Sequence, residues 1–369
     1  MWKKKALALA VLLVACGAAV AFARTQEKVV NKEVDFERHT FKALGTELVE
    51  EHGTLLLSDS PEYVKDQVGV LAAGTLLGNS RVYFYHVNEA VEDRKIAILA
   101  KNKSNKVAKV SVHRSFYAKP DVEYFEVGRE LSKKDLQTKP AIDGKEIEIR
   151  PGGQVQLFTD LDKVKVKKDQ LFSGILDFHT TEELYVKVMM IPFKYGAIGA
   201  EYTMGVLPID EVELRGTYKG ADRKVRVSSI YNPASGAAYI ELATDREDAY
   251  VRGVDETTDN KKVVNKGNYG VSYQIDLHSQ GEGTFDLFFN PQGGAYAGSI
   301  AIHSKKGEEI VDLPKSNRAH MGFGTIYETL HIGNYEAGDT LQIRFMPAGA
   351  SNLPVKLLLV PVKEEGVAS

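Results

Sequence analysis

Two stretches in the second half of the chain gather the residue types best suited to holding a ligand. One is Asn265-Lys266-Gly267-Asn268-Tyr269-Gly270-Val271; the other is Phe289-Asn290-Pro291-Gln292-Gly293-Gly294-Ala295-Tyr296-Ala297-Gly298. Glycine lets a ligand approach the backbone, amides supply paired donors and acceptors, and tyrosine offers a flat apolar face with a hydroxyl. Sugar and peptide recognition use this mixture. Asn268, Tyr269, Asn290, Gln292 and Tyr296 are therefore the expected ligand-binding residues. The same types also build turns, since Asn-Pro and Gly-Gly are turn dipeptides and a tyrosine can close a sandwich core.

A second constellation is acidic. Asp245, Glu247, Asp248, Asp255, Glu256, Asp259 and Asn260 crowd one inter-strand region, and hard oxygen ligands at that density suit Ca²⁺, with Asp255 and Asp259 as candidate ligands. The EF-hand start is absent, so a solvated acidic loop is the competing explanation. No other cofactor is expected. The nine histidines never recur at the i, i+2 or i, i+4 spacing that sets two imidazoles on one metal, and no H-E-x-x-H occurs. Lys163-Val164-Lys165-Val166-Lys167-Lys168 predicts a strand with a lysine face, suited to a polyanion or to guarding a sheet edge.

Nucleophile chemistry finds no support. Gly298-Ser299-Ile300-Ala301 lacks the second glycine of G-x-S-x-G, and there is no Walker loop or G-x-G-x-x-G. No catalytic residue is assigned. Were the chain a glycosidase, Asp276 and Asp286, on successive predicted strands, would be the first acids to test.

The elements that must position these groups are mainly strands. Alternating apolar positions recur in Tyr273/Ile275/Leu277, Phe285/Leu287/Phe289, Leu341/Ile343/Phe345 and Val355/Leu357/Leu359, the period of a strand with one buried face. Earlier strands are expected near 81–87, 95–100, 107–114, 154–159, 171–179 and 184–191. Residues 121–137 form the best helical candidate, with Ser132-Lys133-Lys134-Asp135 resembling a capping box for its second part. Amphipathic helices do not separate the strands, so the expected fold is all-β: two closely docked antiparallel β-sandwich domains, jelly-roll or Ig-like, with one short helical insertion.

The N-terminus sets the compartment. Lys3, Lys4 and Lys5 precede an apolar run from Ala6 to Val20 and a small-residue exit at Ala21-Phe22-Ala23, the layout of an export signal. Cys16, the only cysteine, lies in a lipobox-like Leu13-Val14-Ala15-Cys16-Gly17, so it is either lipidated or removed with residues 1–23. Residues 24–51 are expected as a polar tether, 52–207 as the first sandwich, 208–222 as the interdomain connection, 223–363 as the second sandwich and 364–369 as a tail. The net charge of -3 gives no basic excess for nucleic acid. Membrane contact is expected only through the signal or a lipid on Cys16.

The two loop segments, together with Arg215-Gly216-Thr217-Tyr218 and Leu353-Pro354-Val355, resemble pieces of uncharacterised exported β-proteins of Gram-positive-type bacterial envelopes. Some members of that group carry a copper amine oxidase-like N-terminal stalk module. The resemblance covers most of residues 50–363 and implies a noncatalytic envelope role. The stalk module, the quinone-forming tyrosine motif and the copper-binding histidines have no match here, so oxidase activity is not implied. The sequence thus points to an extracytoplasmic protein, secreted or surface-associated, that binds or organises cell-wall polysaccharide or another envelope protein. The competing classes are an extracellular hydrolase acting on glycan or peptide and a structural subunit of a surface assembly.

Overall fold

The computed structural model describes residues 36–141, 145–323 and 327–362; Cys16, the signal region and the 364–369 tail lie outside them. In chain order the first half contributes β1 (Lys42–Ala43), β2 (Thr46–Ser58), β3 (Tyr63–Val64), β4 (Gly69–Asn88), β5 (Arg94–Asn102), β6 (Ala108–Tyr117), helix α1 (Tyr124–Gln137), β7 (Lys145–Ile149), β8 (Gln154–Gln156), β9 (Leu171–Pro192) and a one-turn helix α2 (Ala197–Glu201). The second half adds β10 (Arg215–Val227), β11 (Ala238–Leu242), β12 (Arg252–Asp255), β13 (Lys261–Val264), β14 (Ser272–His278), β15 (Thr284–Pro291), β16 (Gly298–Ser304), β17 (Gly307–Leu313), β18 (Leu330–Glu336), β19 (Thr340–Phe345) and β20 (Val355–Val362). The chain is all-β, as the period-two patterning requires.

Among the described residues the strands form two sheets. Five of them run in the order β1-β11-β20-β15-β18. The other sheet has 15 strands along the path β17-β16-β19-β14-β10-β2-β4-β9-β5-β8, with β3, β6, β7, β12 and β13 attached beside it. It crosses the midpoint of the chain, because β2 pairs antiparallel with β10 from Thr46↔Val227 to Ser58↔Arg215 and parallel with β4 from Thr54↔Ser80 to Ser58↔Phe84. Pairing is not uniformly antiparallel: β1–β11, β2–β4, β3–β4 and β10–β14 are parallel. Such pairs need crossovers rather than tight turns, and alternation along one strand carries no information about the direction of its neighbour.

Two large apolar clusters sit on these sheets. One draws only on residues before 208, with Phe84, Phe172, Phe178, Leu184 and Met190 among its members. The other combines Leu55, Leu57, Tyr83 and Tyr85 of the first half with Tyr218, Ile275, Phe289, Ile343 and Leu357 of the second.

The described part of the expected tether is built into the fold. Phe36 is buried edge-on against Phe288 at 5.1 Å, beside Leu358 and Val360, and β2 begins at Thr46. The polar composition of this stretch reflects an exposed strand half, since residues 47–52 all face solvent while Leu55, Leu56 and Leu57 are buried.

Helix α1 occupies most of the predicted 121–137 interval, but Ser132 is not a cap. It lies buried in mid-helix, its hydroxyl accepting from the Ser299 N–H at 3.1 Å and donating to the Ser299 carbonyl at 3.4 Å, so it ties the helix to β16. Gly128, a residue costing about 1 kcal/mol relative to alanine inside a helix, is explained by the same docking: a Cβ there would overlap the Gly349 carbonyl oxygen. The 163–168 lysine run is not a regular strand. Val166 makes one bridge to Arg94, while Lys163, Lys165 and Lys168 pair with Asp160, Asp93 and Asp169.

Candidate functional site

Antiparallel pairing of β4 with β9 sets Arg81 opposite Asp177, and pairing of β6 with β9 sets Arg114 opposite the same aspartate. Arg81 grips Asp177 with two nitrogens, Nε to Oδ1 at 2.7 Å and Nη2 to Oδ2 at 3.1 Å. Its remaining donors reach the second half: Nη1 to the Ala221 and Gly270 carbonyls and to Ser272 Oγ, and Nη2 to Asp222 Oδ1 at 3.0 Å. Arg114 donates from Nε to Asp177 Oδ2 at 2.7 Å and places Nη2 3.0 Å from Asp135 Oδ1 on α1. Asp135 Oδ2 in turn accepts from Ser272 Oγ at 3.2 Å. Strands of both halves and the helix thus converge on one buried ionic network.

Above it opens a cleft of about 630 Å³. His52, Asn79, His113, Asp222 and Gln274 supply polar groups on its lining, with Phe178, Phe345 and Pro140 between them. His52, Asn79 and Asp222 are exposed; His113 and Gln274 are half-buried. Beneath them the charges are spent on one another. Burial pushes the Asp177 carboxyl up, but Arg81 and Arg114 outweigh that and hold it below the usual carboxylate range. Burial likewise works against the Arg81 charge, and Asp177 and Asp222 more than restore it. A carboxylate held ionised this firmly orients a ligand well and makes a poor proton donor.

The residues singled out from sequence lie elsewhere. Asn268, at φ 53°, is fully buried; its Oδ1 accepts from the Val251 N–H at 2.8 Å and its Nδ2 donates to the Tyr273 hydroxyl at 2.6 Å. Tyr269 donates its hydroxyl to the Ser351 carbonyl at 2.7 Å. Tyr296 is buried between Phe289 and Phe345, at ring distances of 4.8 and 6.4 Å. Asn290 is buried, donating to the Glu328 carbonyl at 3.1 Å, and Gln292 donates to Asn290 Oδ1 at 2.5 Å. The fold does bring the two loops together, because Ser351 also bonds the Ala297 backbone, but it turns them inward. Their glycine, amide and tyrosine content closes a core, which moves the candidate binding surface to the cleft.

The acidic constellation also separates. Asp255 is buried, with Oδ2 accepting from Arg215 Nε at 2.9 Å and Oδ1 from the Thr257 N–H and hydroxyl at 2.9 and 2.5 Å. Asp259 is exposed in the turn that follows, at φ 53°. Among the described residues no three His, Cys, Asp or Glu side chains gather as a metal site. Asp276 and Asp286 fall in different sheets, on β14 and β15. Asp276 lies beside Lys224 and Gln342, and Asp286 accepts from His331 and Asn334 at 2.9 and 3.0 Å, so they do not form a facing pair.

The Arg81–Asp177–Arg114–Asp135 network left almost no trace in the sequence. Its members come from β4, β9, β6 and α1, and the one signal is a charge set in an apolar strand, as with Asp177 between Leu176 and Phe178. The same holds for Ser58 and His86, whose Oγ and Nε2 lie 2.8 Å apart while His86 Nδ1 lies 2.8 Å from the Pro61 carbonyl. This resembles a nucleophile–base pair, yet both residues are fully buried and a carbonyl stands where a triad would place a carboxylate.

Burial lowers the His86 pKa to about 4, outweighing the Pro61 carbonyl that favours its charged form. A base depressed on folding contributes stability that is intact above its unfolded pKa, near 6.5, and is lost as pH falls toward 4. That difference is worth about 3 kcal/mol. Urea titrations across this range should therefore show wild type losing about 3 kcal/mol more than His86→Asn. Parallel profiles for the two proteins would refute the assignment.

No family model matches this chain, and no curated protein does. Among solved structures, the chain shows 11% identity to the 7S globulin of Momordica charantia, covering 79% of each chain with a TM-score of 0.13. It shows 10% identity to vicilin from Solanum lycopersicum, over 86% of this chain and 83% of that one, with a TM-score of 0.12. A Bacillus subtilis oxalate decarboxylase is 10% identical over 89% of this chain and 79% of that one, with a TM-score of 0.11. Likeness of this degree transfers neither fold nor activity.

Proposed function

We propose that this chain is an exported, noncatalytic protein of the bacterial envelope, built as two docked β-sandwich lobes, that binds wall polysaccharide in the cleft over Arg81. The carrying observation is the cleft itself: polar amide, imidazole and carboxylate groups line it, above a floor whose ions are mutually neutralised. A neutral polyhydroxyl ligand matches such a lining, trading its hydroxyls for Gln274, Asn79, His52, His113 and Asp222. Binding is favoured over hydrolysis because glycoside cleavage needs one carboxyl kept protonated, and Asp177 is driven the opposite way. The export signal and the likeness to exported envelope β-proteins belong to the same reading.

Purified wall glycan, digested to soluble fragments, should bind the protein in isothermal titration and leave with no new reducing ends. His113→Ala and Gln274→Ala should each weaken binding by about three- to tenfold, the worth of one hydrogen bond. No heat of binding at low salt would reject the proposal, and release of reducing ends would replace it with the hydrolase reading.

A further inference from the structure

The cleft over Arg81 does not stand alone. On one side it shares His52, Gly53 and Asn79 with a second depression of about 380 Å³, walled further by Thr54, Leu77, Lys219 and Gly220. On the other it shares Arg114, Leu136, Pro140 and Arg344 with a third, of about 500 Å³, that reaches Gln137 and Lys139 at the end of α1 and Glu308 on β17. The sheet order sets the line they follow. The third depression touches β17 and β19, the cleft touches β19, β14, β10, β2 and β4, and the second depression touches β10, β2 and β4. From β17 to β2 is five strand spacings, about 24 Å in all at the usual interstrand distance.

Regular pairing is interrupted along this line. β10 sets two residues, Gly220 and Ala221, opposite the single Gly53 of β2, and β6 carries His113 as an extra residue between its Val112↔Phe178 and Arg114↔Asp177 pairs with β9. Bulges of this kind re-aim side chains beside binding sites, and here the bulged residues all lie on the lining. Gly53, on the shared boundary, and Gly220 beyond it sit at φ 71° and 92°, a region that favours glycine, and neither puts a side chain across the passage. At the far walls Leu77, Lys219, Gln137, Lys139 and Glu308 are exposed. Each end thus opens onto solvent.

Centre and ends differ in charge. In the cleft Arg81 and Arg114 are matched by Asp177, Asp222 and Asp135. Toward the ends Glu51 pairs with Arg223, and Arg344 with Glu308, at 2.8 Å each. Lys219 and Lys139 are left over: among the described residues neither forms an ion pair, and each ammonium is free to donate to ligand oxygens. Given the glycan reading of the cleft, on which this rests, we propose that the three depressions are one groove for an internal stretch of a linear polysaccharide. The cleft takes the central sugars, and Lys219 and Lys139 hold the units on either side. A pocket specific for a chain end needs a closed wall, and both ends here are open.

Wall glycan digested to a ladder of sized fragments tests this by isothermal titration. Affinity should rise by about tenfold or more from the shortest fragment that binds to fragments that span the groove, and then level off. Lys139→Ala and Lys219→Ala, at exposed side chains outside any ion pair, should each weaken the spanning fragment by about three- to tenfold and leave the shortest unchanged. His113→Ala should weaken both. Borohydride reduction of the terminal sugar to its alditol should leave the affinity of the spanning fragment as it was. Equal affinity at all lengths, lysine variants that bind the spanning fragment like wild type, or loss of binding on end reduction would each overturn the groove and leave the cleft as a glycan site. No binding at any length would overturn both readings, so the two failures are told apart.

Discussion

Arg215→Ala is expected to cost about 3–5 kcal/mol of folding stability, the usual price of leaving one member of a buried ion pair alone. Arg215 and Asp255 are both almost completely buried, joined at 2.9 Å. The guanidinium does more than neutralise. Its Nη1 donates to the carbonyls of Leu71 at 3.1 Å and Leu207 at 2.8 Å, so one side chain closes the start of β10 over β4 and the segment entering from β9. Truncation strands the Asp255 carboxylate together with the buried carbonyl acceptors of Ser60, Leu71 and Leu207. Asp255→Ala should cost a similar amount, since it leaves the cation behind. The double variant Arg215→Met/Asp255→Leu should recover much of the loss, because an apolar pair removes both desolvation costs. Urea denaturation of wild type, the two alanine variants and the Arg215→Ala/Asp255→Ala double variant yields the coupling directly. Additive single effects would show that the pair does not act as a unit.

The second large effect is expected at Arg81. Alanine there removes the bidentate grip on Asp177 and the links to Asp222, Ser272 and the carbonyls of Ala221 and Gly270. Arg114 remains to hold Asp177, so the carboxylate keeps one cation, and the stability loss should again be about 3–5 kcal/mol. The distinguishing consequence is on binding. Arg81 fixes the distance between the first-half strands and the 270–272 turn that together wall the cleft, so glycan affinity should fall by more than for His113→Ala or Gln274→Ala. Arg81→Lys should restore charge without the planar fork and recover only part of either property. Native-like glycan binding by a folded Arg81→Ala would separate the network from the cleft.

These two arginines show how far the sequence could be read. The all-β character was legible because a strand with one buried face writes its period into consecutive residues, as Tyr273, Ile275 and Leu277 do. Helix α1 was legible as the interval 121–137, although the capping-box pattern at Ser132 that pointed to it lies in mid-helix. The Asn265–Val271 and Phe289–Gly298 segments were legible as special, but not as inward-facing: amide, glycine and tyrosine serve a buried turn and an exposed binding loop equally well. Which they do depends on the 348–354 segment that meets them, through Ser351. Asp276 and Asp286 are close in sequence and drew attention together, yet β14 and β15 enter different sheets, a choice that alternation cannot encode.

By itself, then, the sequence determined the strand-rich class and the position of helix α1. Both are properties of neighbouring residues. The tertiary structure alone decided that β2 joins β4 to β10 in one continuous sheet, and that Arg81, Arg114, Asp135 and Asp177 meet. The physical reason is that burial and ion pairing are set by residues brought together across the sheet, and strand order and register choose those neighbours.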